Sequence, residues 1–215
     1  MKDRMNQYRK PICIAIALFI SFLLTGLIVR KMELNAKVLE TQEHLAREVF
    51  RFHVLANSDS GEDQELKLVV KSGIIEYMKE QLPDVDSAEE TKAWALENED
   101  NIREAAEAII REEGYGYSAR VSVTTCYFPD KTYGDVTFPA GEYEALRVEI
   151  GKGAGKNWWC VLYPNLCFTD AAYAVVSEEG KEELQEVLTD DEYEMVTSTT
   201  EFKIKWYFFG DSDEE

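Results

Sequence analysis

The sequence predicts an α+β protein: an N-terminal transmembrane helix, then two or three helices packed on a mainly antiparallel sheet. Three observations lead there. An uncharged apolar run occupies residues 11–29. Between residues 62 and 112 apolar side chains recur at helical spacing, and beyond Tyr117 the period drops to two. Helices first and strands later is the order of a domain that segregates its helices on one sheet face.

Residues 11–29 read PICIAIALFISFLLTGLIV, and about 18 apolar residues suffice to cross the hydrocarbon core. Lys2, Arg4, Arg9 and Lys10 precede them. By the positive-inside rule residues 1–10 form a cytoplasmic basic flank and the remainder lies outside. A cleaved signal peptide is the alternative. The apolar core of such a peptide spans only about 7–15 residues, and here Arg30 and Lys31 follow with no small-residue cleavage site, which favours an uncleaved anchor. Residues 30–48, polar with scattered Leu and Val, read as a helical stalk. The extracytoplasmic globular domain is expected over residues 49–209, with an acidic tail at 210–215.

Within that domain residues 49–55 (VFRFHVL) alternate and predict a short strand. A turn from Ala56 to Gly61 leads into a helix over 62–82, whose stripe is Leu66, Val69, Val70, Gly73, Ile74, Tyr77 and Met78. Ser60 is placed to cap it, Glu62 and Asp63 favour its positive end, and Pro83 stops it. Ser87 and Glu90 form a capping box for a second helix. That helix is expected to break near 98–101, to resume with Ile102, Ala105, Ala106, Ile109 and Ile110 facing the core, and to end at Gly114. Strands follow around Val121 and Val123 and over 144–150. Residues 158–163 are continuously apolar and predict a strand covered on both faces; a short acidic helix over 178–188 and an alternating strand over 201–208 complete the order.

The 215 residues hold 23 Lys and Arg against 42 Asp and Glu, a net charge of −19. Four basic residues and one acidic residue precede residue 30, leaving 19 basic and 41 acidic from Arg30 onward, a net charge of −22. Such a surface repels phosphate backbones, so nucleic-acid binding is excluded as a main function. High solubility is the simplest reading of the charge.

Residues 151–157 (GKGAGKN) resemble a phosphate loop only superficially. A Walker loop needs four residues between its glycines and a Ser or Thr after the Lys; here there are three, and Asn157 follows. A glycine-rich connection between strands explains the segment better. His44 and His53 are the sole histidines. A Cys–His nucleophilic pair would need His53 beside Cys126, Cys160 or Cys167, and no nucleophile signature surrounds these cysteines. Neither Cys-x-x-Cys nor His-x-x-x-His spacing occurs, so no metal or cofactor is implied. Cys160 and Cys167 flank a turn centred on Pro164 and Asn165. A four-residue loop sets them directly opposite and within disulfide reach; a two-residue loop makes them diagonal neighbours near or past the limit. A disulfide and two buried thiols both remain open.

Several segments together resemble the stage II sporulation protein R family of endospore-forming bacteria. They are residues 51–60 (RFHVLANSDS), 127–129 (YFP), Tyr133 with Gly134, 138–145 (FPAGEYEA), Gly151 to Gly153, Gly155, 157–164 (NWWCVLYP) and 166–168 (LCF), in the family's order. The resemblance implies a signalling protein, not an enzyme, made in the forespore and exported between the two septal membranes. There it triggers a membrane-embedded aspartic protease of the mother cell, which removes the pro-sequence of sigma-E. No residue role follows from the resemblance. From exposure alone, the turn Asn57, Ser58 and Asp59 and the loop Pro139, Ala140, Gly141 and Glu142 are the candidate partner-binding positions. The alternatives are a secreted hydrolase using His53 and a cysteine, and an envelope-binding module presenting Trp158 and Trp159, residues that core packing also explains.

Overall fold

The computed structural model describes residues 2–164, 176 and 178–197. The chain divides into two compact units, Met1–Thr41 and Gln42–Glu215. The first lies within α1 (Lys2–Glu48). Its stretch Cys13–Glu33 is long and apolar enough to cross a membrane.

The second unit begins with the last turns of α1, where Leu45 is wholly buried. Then come β1 (Phe50–Leu55), α2 (Gly61–Gln81), α3 (Ala88–Glu97), α4 (Glu99–Glu112), β2 (Ala119–Phe128), β3 (Lys131–Tyr133), β4 (Val136–Phe138), β5 (Gly141–Ile150), β6 (Asn157–Tyr163), α5 (Glu178–Val187) and α6 (Asp190–Thr197). The main sheet runs β2-β5-β1-β6. β1 pairs parallel with β5, whereas the β1–β6 and β2–β5 pairs are antiparallel. The α+β class with a mainly antiparallel sheet therefore holds. Residues 201–208 and the acidic tail lie outside the described residues.

The helix ends follow from local chemistry. Ser60 accepts the Asp63 amide at the start of α2, and Ser87 accepts that of Glu90 at the start of α3. Glu90 reaches back one residue further than a capping box requires, to the amide of Asp86 at 3.1 Å. α4 ends in a Schellman turn: Tyr115 N–H reaches the Ile110 carbonyl at 3.0 Å and Gly114 takes φ +84°.

One sheet face carries Phe50, Phe52, Val54, Leu146, Val148, Ile150, Cys160 and Leu162 against the inward stripes of α2, α3 and α4. The other packs Ala145 and Val161 with β3, β4, α5, α6 and the end of α1. Covering both faces has one consequence that alternation did not predict: all six residues of β1 are buried. An inner strand between two layers hides both sets of side chains, so Arg51 and His53 go inside with the phenylalanines. Short β3 and β4 and the eight-residue α6 escape sequence reading because none is long enough to show a period.

Candidate functional site

The turn after β1 is held from three sides. Asn57 donates from Nδ2 to Asp63 Oδ2 (2.9 Å) and accepts the Lys152 amide on Oδ1 (3.1 Å). Asp59 Oδ1 accepts the Lys156 amide at 2.7 Å, and Gln64 Nε2 donates to the Ser58 carbonyl at 2.9 Å. The Ser58 hydroxyl and the Asn57 amide hold the Asp63 carboxyl below the usual range, since both bond its charged form. Asn57 and Ser58 are accordingly half-buried and only Asp59 is exposed.

The same contacts decide the glycine-rich loop. Gly151 N–H goes to the Ser118 carbonyl, Gly153 to Ile150, Ala154 to Asn57 and Gly155 to Ala56; Lys152 and Lys156 bond Asn57 and Asp59. Every amide from Gly151 to Lys156 is thus spent within the protein, and none remains to cradle a phosphate. Gly151 has φ +58°, and a Cβ there would press on Asn57 Oδ1.

Of the expected loop at the other end of β5, Pro139 and Ala140 precede the strand, whereas Gly141 and Glu142 already belong to it and pair with Phe128 and Tyr127. Pro139 is buried and its carbonyl accepts the Tyr143 hydroxyl at 2.8 Å; the Ala140 amide donates to Asp130 Oδ1. Glu142 is the exposed member. Because β1 and β5 run parallel, with Leu55 opposite Glu149 and Arg51 opposite Ala145, the two candidate loops flank opposite ends of β5 and do not form one site.

His53 lies on the face away from α2 to α4. Its ring stacks on Trp159, centroids 3.9 Å apart and planes 17° apart. Burial pushes its pKa down to about 4; Asn157 offsets part of this, although neither ring nitrogen reaches hydrogen-bonding geometry. Burial also pushes the Cys126 thiol up, the opposite of what a nucleophile needs. Cys160 is disulfide-bonded and packs on the helix side, away from His53. Cys13 and Cys126 are free thiols, and Cys167 lies outside the described residues. Trp158 and Trp159 are both half-buried and engaged, Trp158 beneath Lys71 Nζ at 4.7 Å and Trp159 by His53 and Phe128. Among the described residues no group of three His, Cys, Asp or Glu side chains is placed to hold a metal ion.

Sequence reading missed Arg51. It is wholly buried, with Cζ 4.3 Å from the ring centre of Phe128, 4.8 Å from Tyr143 and 5.2 Å from Phe138. Nε donates to the Cys160 carbonyl (3.0 Å) and Nη2 to the Tyr133 hydroxyl (3.1 Å). Burial lowers its pKa, while Tyr133 and Tyr143 oppose that shift. An arginine inside a strand predicted to alternate was the available signal.

A family model described as "Stage II sporulation protein R" matches residues 46–173. The chain belongs to the stage II sporulation protein R family. It is 35% identical over 191 residues to the stage II sporulation protein R of Bacillus subtilis (strain 168), which covers 88% of this chain and 84% of that one. No solved structure matches. Arg51, Phe128, Tyr133, Phe138 and Tyr143, the arginine and its surrounding rings, all fall inside the matched span.

Proposed function

We propose that this chain is an exported sporulation signal that activates a membrane-embedded aspartic protease of the mother cell and so leads to pro-sigma-E processing. Membership of the stage II sporulation protein R family carries the reading. The N-terminal apolar helix supports export, as an anchor or as a signal segment; on this reading the working domain lies between the forespore and mother-cell membranes. The protein acts by binding, not by catalysis. A ligand of this kind shifts its partner only by differential affinity for the partner's active form. Among the described residues the hydrolase alternative has no assembled pair, since His53 stacks on Trp159 and burial raises the Cys126 thiol.

The test is complementation. The full chain, expressed in the forespore of a strain lacking its own family member, restores pro-sigma-E processing on immunoblots. An exported chain that leaves the precursor uncleaved overturns the reading. His53→Ala and Cys126→Ser, made separately, keep most processing; a folded His53→Ala chain with none would put the hydrolase ahead.

A further inference from the structure

β2 is an edge strand of the main sheet, and its two halves are treated differently. Its pairing with β5 runs unbroken from Ala119 opposite Ile150 to Phe128 opposite Gly141, so the amides alternate strictly between β5 and the open side. Two contacts set the phase. Ala119 N–H donates to Glu107 Oε1 at 3.2 Å, and Val123 N–H donates to Glu99 Oε1 at 2.6 Å. Odd-numbered residues therefore point their backbone groups outward, in agreement with the Ser118 carbonyl facing the β5 side, where it takes the Gly151 amide.

In the first half of the strand, then, carboxylates from α4 occupy two outward amides. This is a way of blunting an edge against another chain. In the second half the outward groups belong to Thr125 and Tyr127. Among the described residues neither amide has an acceptor. Both side chains are exposed, and Tyr127, at 63%, is the most exposed large apolar side chain described in the second unit.

We propose that this open half of β2, from Thr125 to Tyr127, takes an extended segment of the partner protein as an added strand. The inference rests on the signalling reading above and names the surface that would do the work. Backbone pairing supplies affinity in such complexes, and neighbouring side chains supply specificity. The charges at hand select the occupant. Glu142 lies opposite Tyr127 on β5 and is exposed, and the carboxylates of Glu99 and Glu107 stand against the blocked half. A segment bearing Lys or Arg complements them. A second copy of the chain does not: pairing β2 with itself would set two domains of net charge −22 edge to edge.

Thr125→Pro tests this in the full chain, because proline removes an outward N–H while leaving the ladder to β5 intact. Processing of pro-sigma-E is expected to fall by about ten-fold or more, as loss of an edge pairing predicts, with the thermal melt close to wild type. Val121→Pro, between the two blocked amides, is expected to keep processing within about two-fold. A folded Thr125→Pro chain with wild-type processing overturns the edge and leaves the signalling reading standing. A wild-type chain that never restores processing overturns the signalling reading itself, and the edge assignment falls with it. Should Thr125→Pro fail to fold, a photo-crosslinking phenylalanine at position 127 of the full chain decides the matter. A crosslink to the protease upholds the proposal; a crosslink to a second copy, or none, overturns it.

Discussion

At Arg51 a charge sits where the pattern of the strand leads one to expect a small or apolar group. Four aromatic rings surround the guanidinium, and its polar bonds go to one carbonyl and one hydroxyl. Arg51→Ala leaves a cavity and should cost about 3 kcal/mol or more, by analogy with other large-to-small core changes. Arg51→Met should cost clearly less, since it fills similar volume and relieves a desolvated charge. Urea denaturation of both variants checks the order; a Met variant as unstable as the Ala variant would show that the bonds to Cys160 and Tyr133 dominate. His53 yields a pH prediction. The folded ring has its pKa at about 4, below the value of about 6.5 for an unfolded histidine. The unfolded chain therefore takes up this proton first as pH falls. Stability present above about pH 6.5 is lost between there and about pH 4, by up to about 3 kcal/mol. His53→Phe removes that component, so the difference between wild-type and variant melts should change across the window. An unchanged difference would rule the contribution out.

Between elements, the α2–α4 contact runs through Gly73. A Cβ at this position would overlap the side chain of Ile109, so the glycine lets the two helices approach. Alanine in a helix interior is intrinsically favoured over glycine by about 1 kcal/mol, and overpacking typically costs about 1–3 kcal/mol. The two effects oppose each other, which makes the coupling more informative than the single change. Gly73→Ala should be more favourable by about 1–2 kcal/mol in an Ile109→Ala background than in wild type. Equal effects in both backgrounds, measured by chemical denaturation, would mean that Ile109 simply rotates away. The turn after β1 works on the same scale. Asn57 and Asp59 bond the amides of a loop almost a hundred residues later in the chain and fasten the end of β1 to the β5–β6 connection. Two glycine-bearing segments that looked like separate motifs are one interlocked corner.

For the molecule as a whole, the apolar stretch Cys13–Glu33 and the basic residues before it motivate a test of orientation. A C-terminal alkaline phosphatase fusion to the full chain should be active, and a green fluorescent fusion exported by the general secretory route should be dark. The reverse pattern would place the acidic domain in the cytoplasm and remove the basis for a signal acting between membranes. Charge acts at this scale as well. The stretch from residue 30 onward, with 41 acidic residues against 19 basic ones, discourages self-association and favours partners that bring positive charge.

By itself the sequence determined what depends on neighbours along the chain. The apolar run, the caps at Ser60 and Ser87, the stop at Gly114, the alternation of β5 and most of the inward stripes of α2 and α4 follow from contacts within a few residues, where side-chain period and capping chemistry act; Val69, expected in the α2 stripe, is exposed instead. The family was legible too, because its signature is a set of local strings. Tertiary structure alone decided which strand went to the middle of the sheet. With β1 between β5 and β6 and both faces covered, Arg51 and His53 became buried groups instead of members of an exposed polar face. Tertiary structure also tied the half-buried Asn57 to Asp63 and to the Lys152 amide, set the two candidate segments at opposite ends of β5, and left one half of β2 open while α4 closed the other. Strand order and long-range hydrogen bonds join residues far apart in sequence, and no local period encodes them.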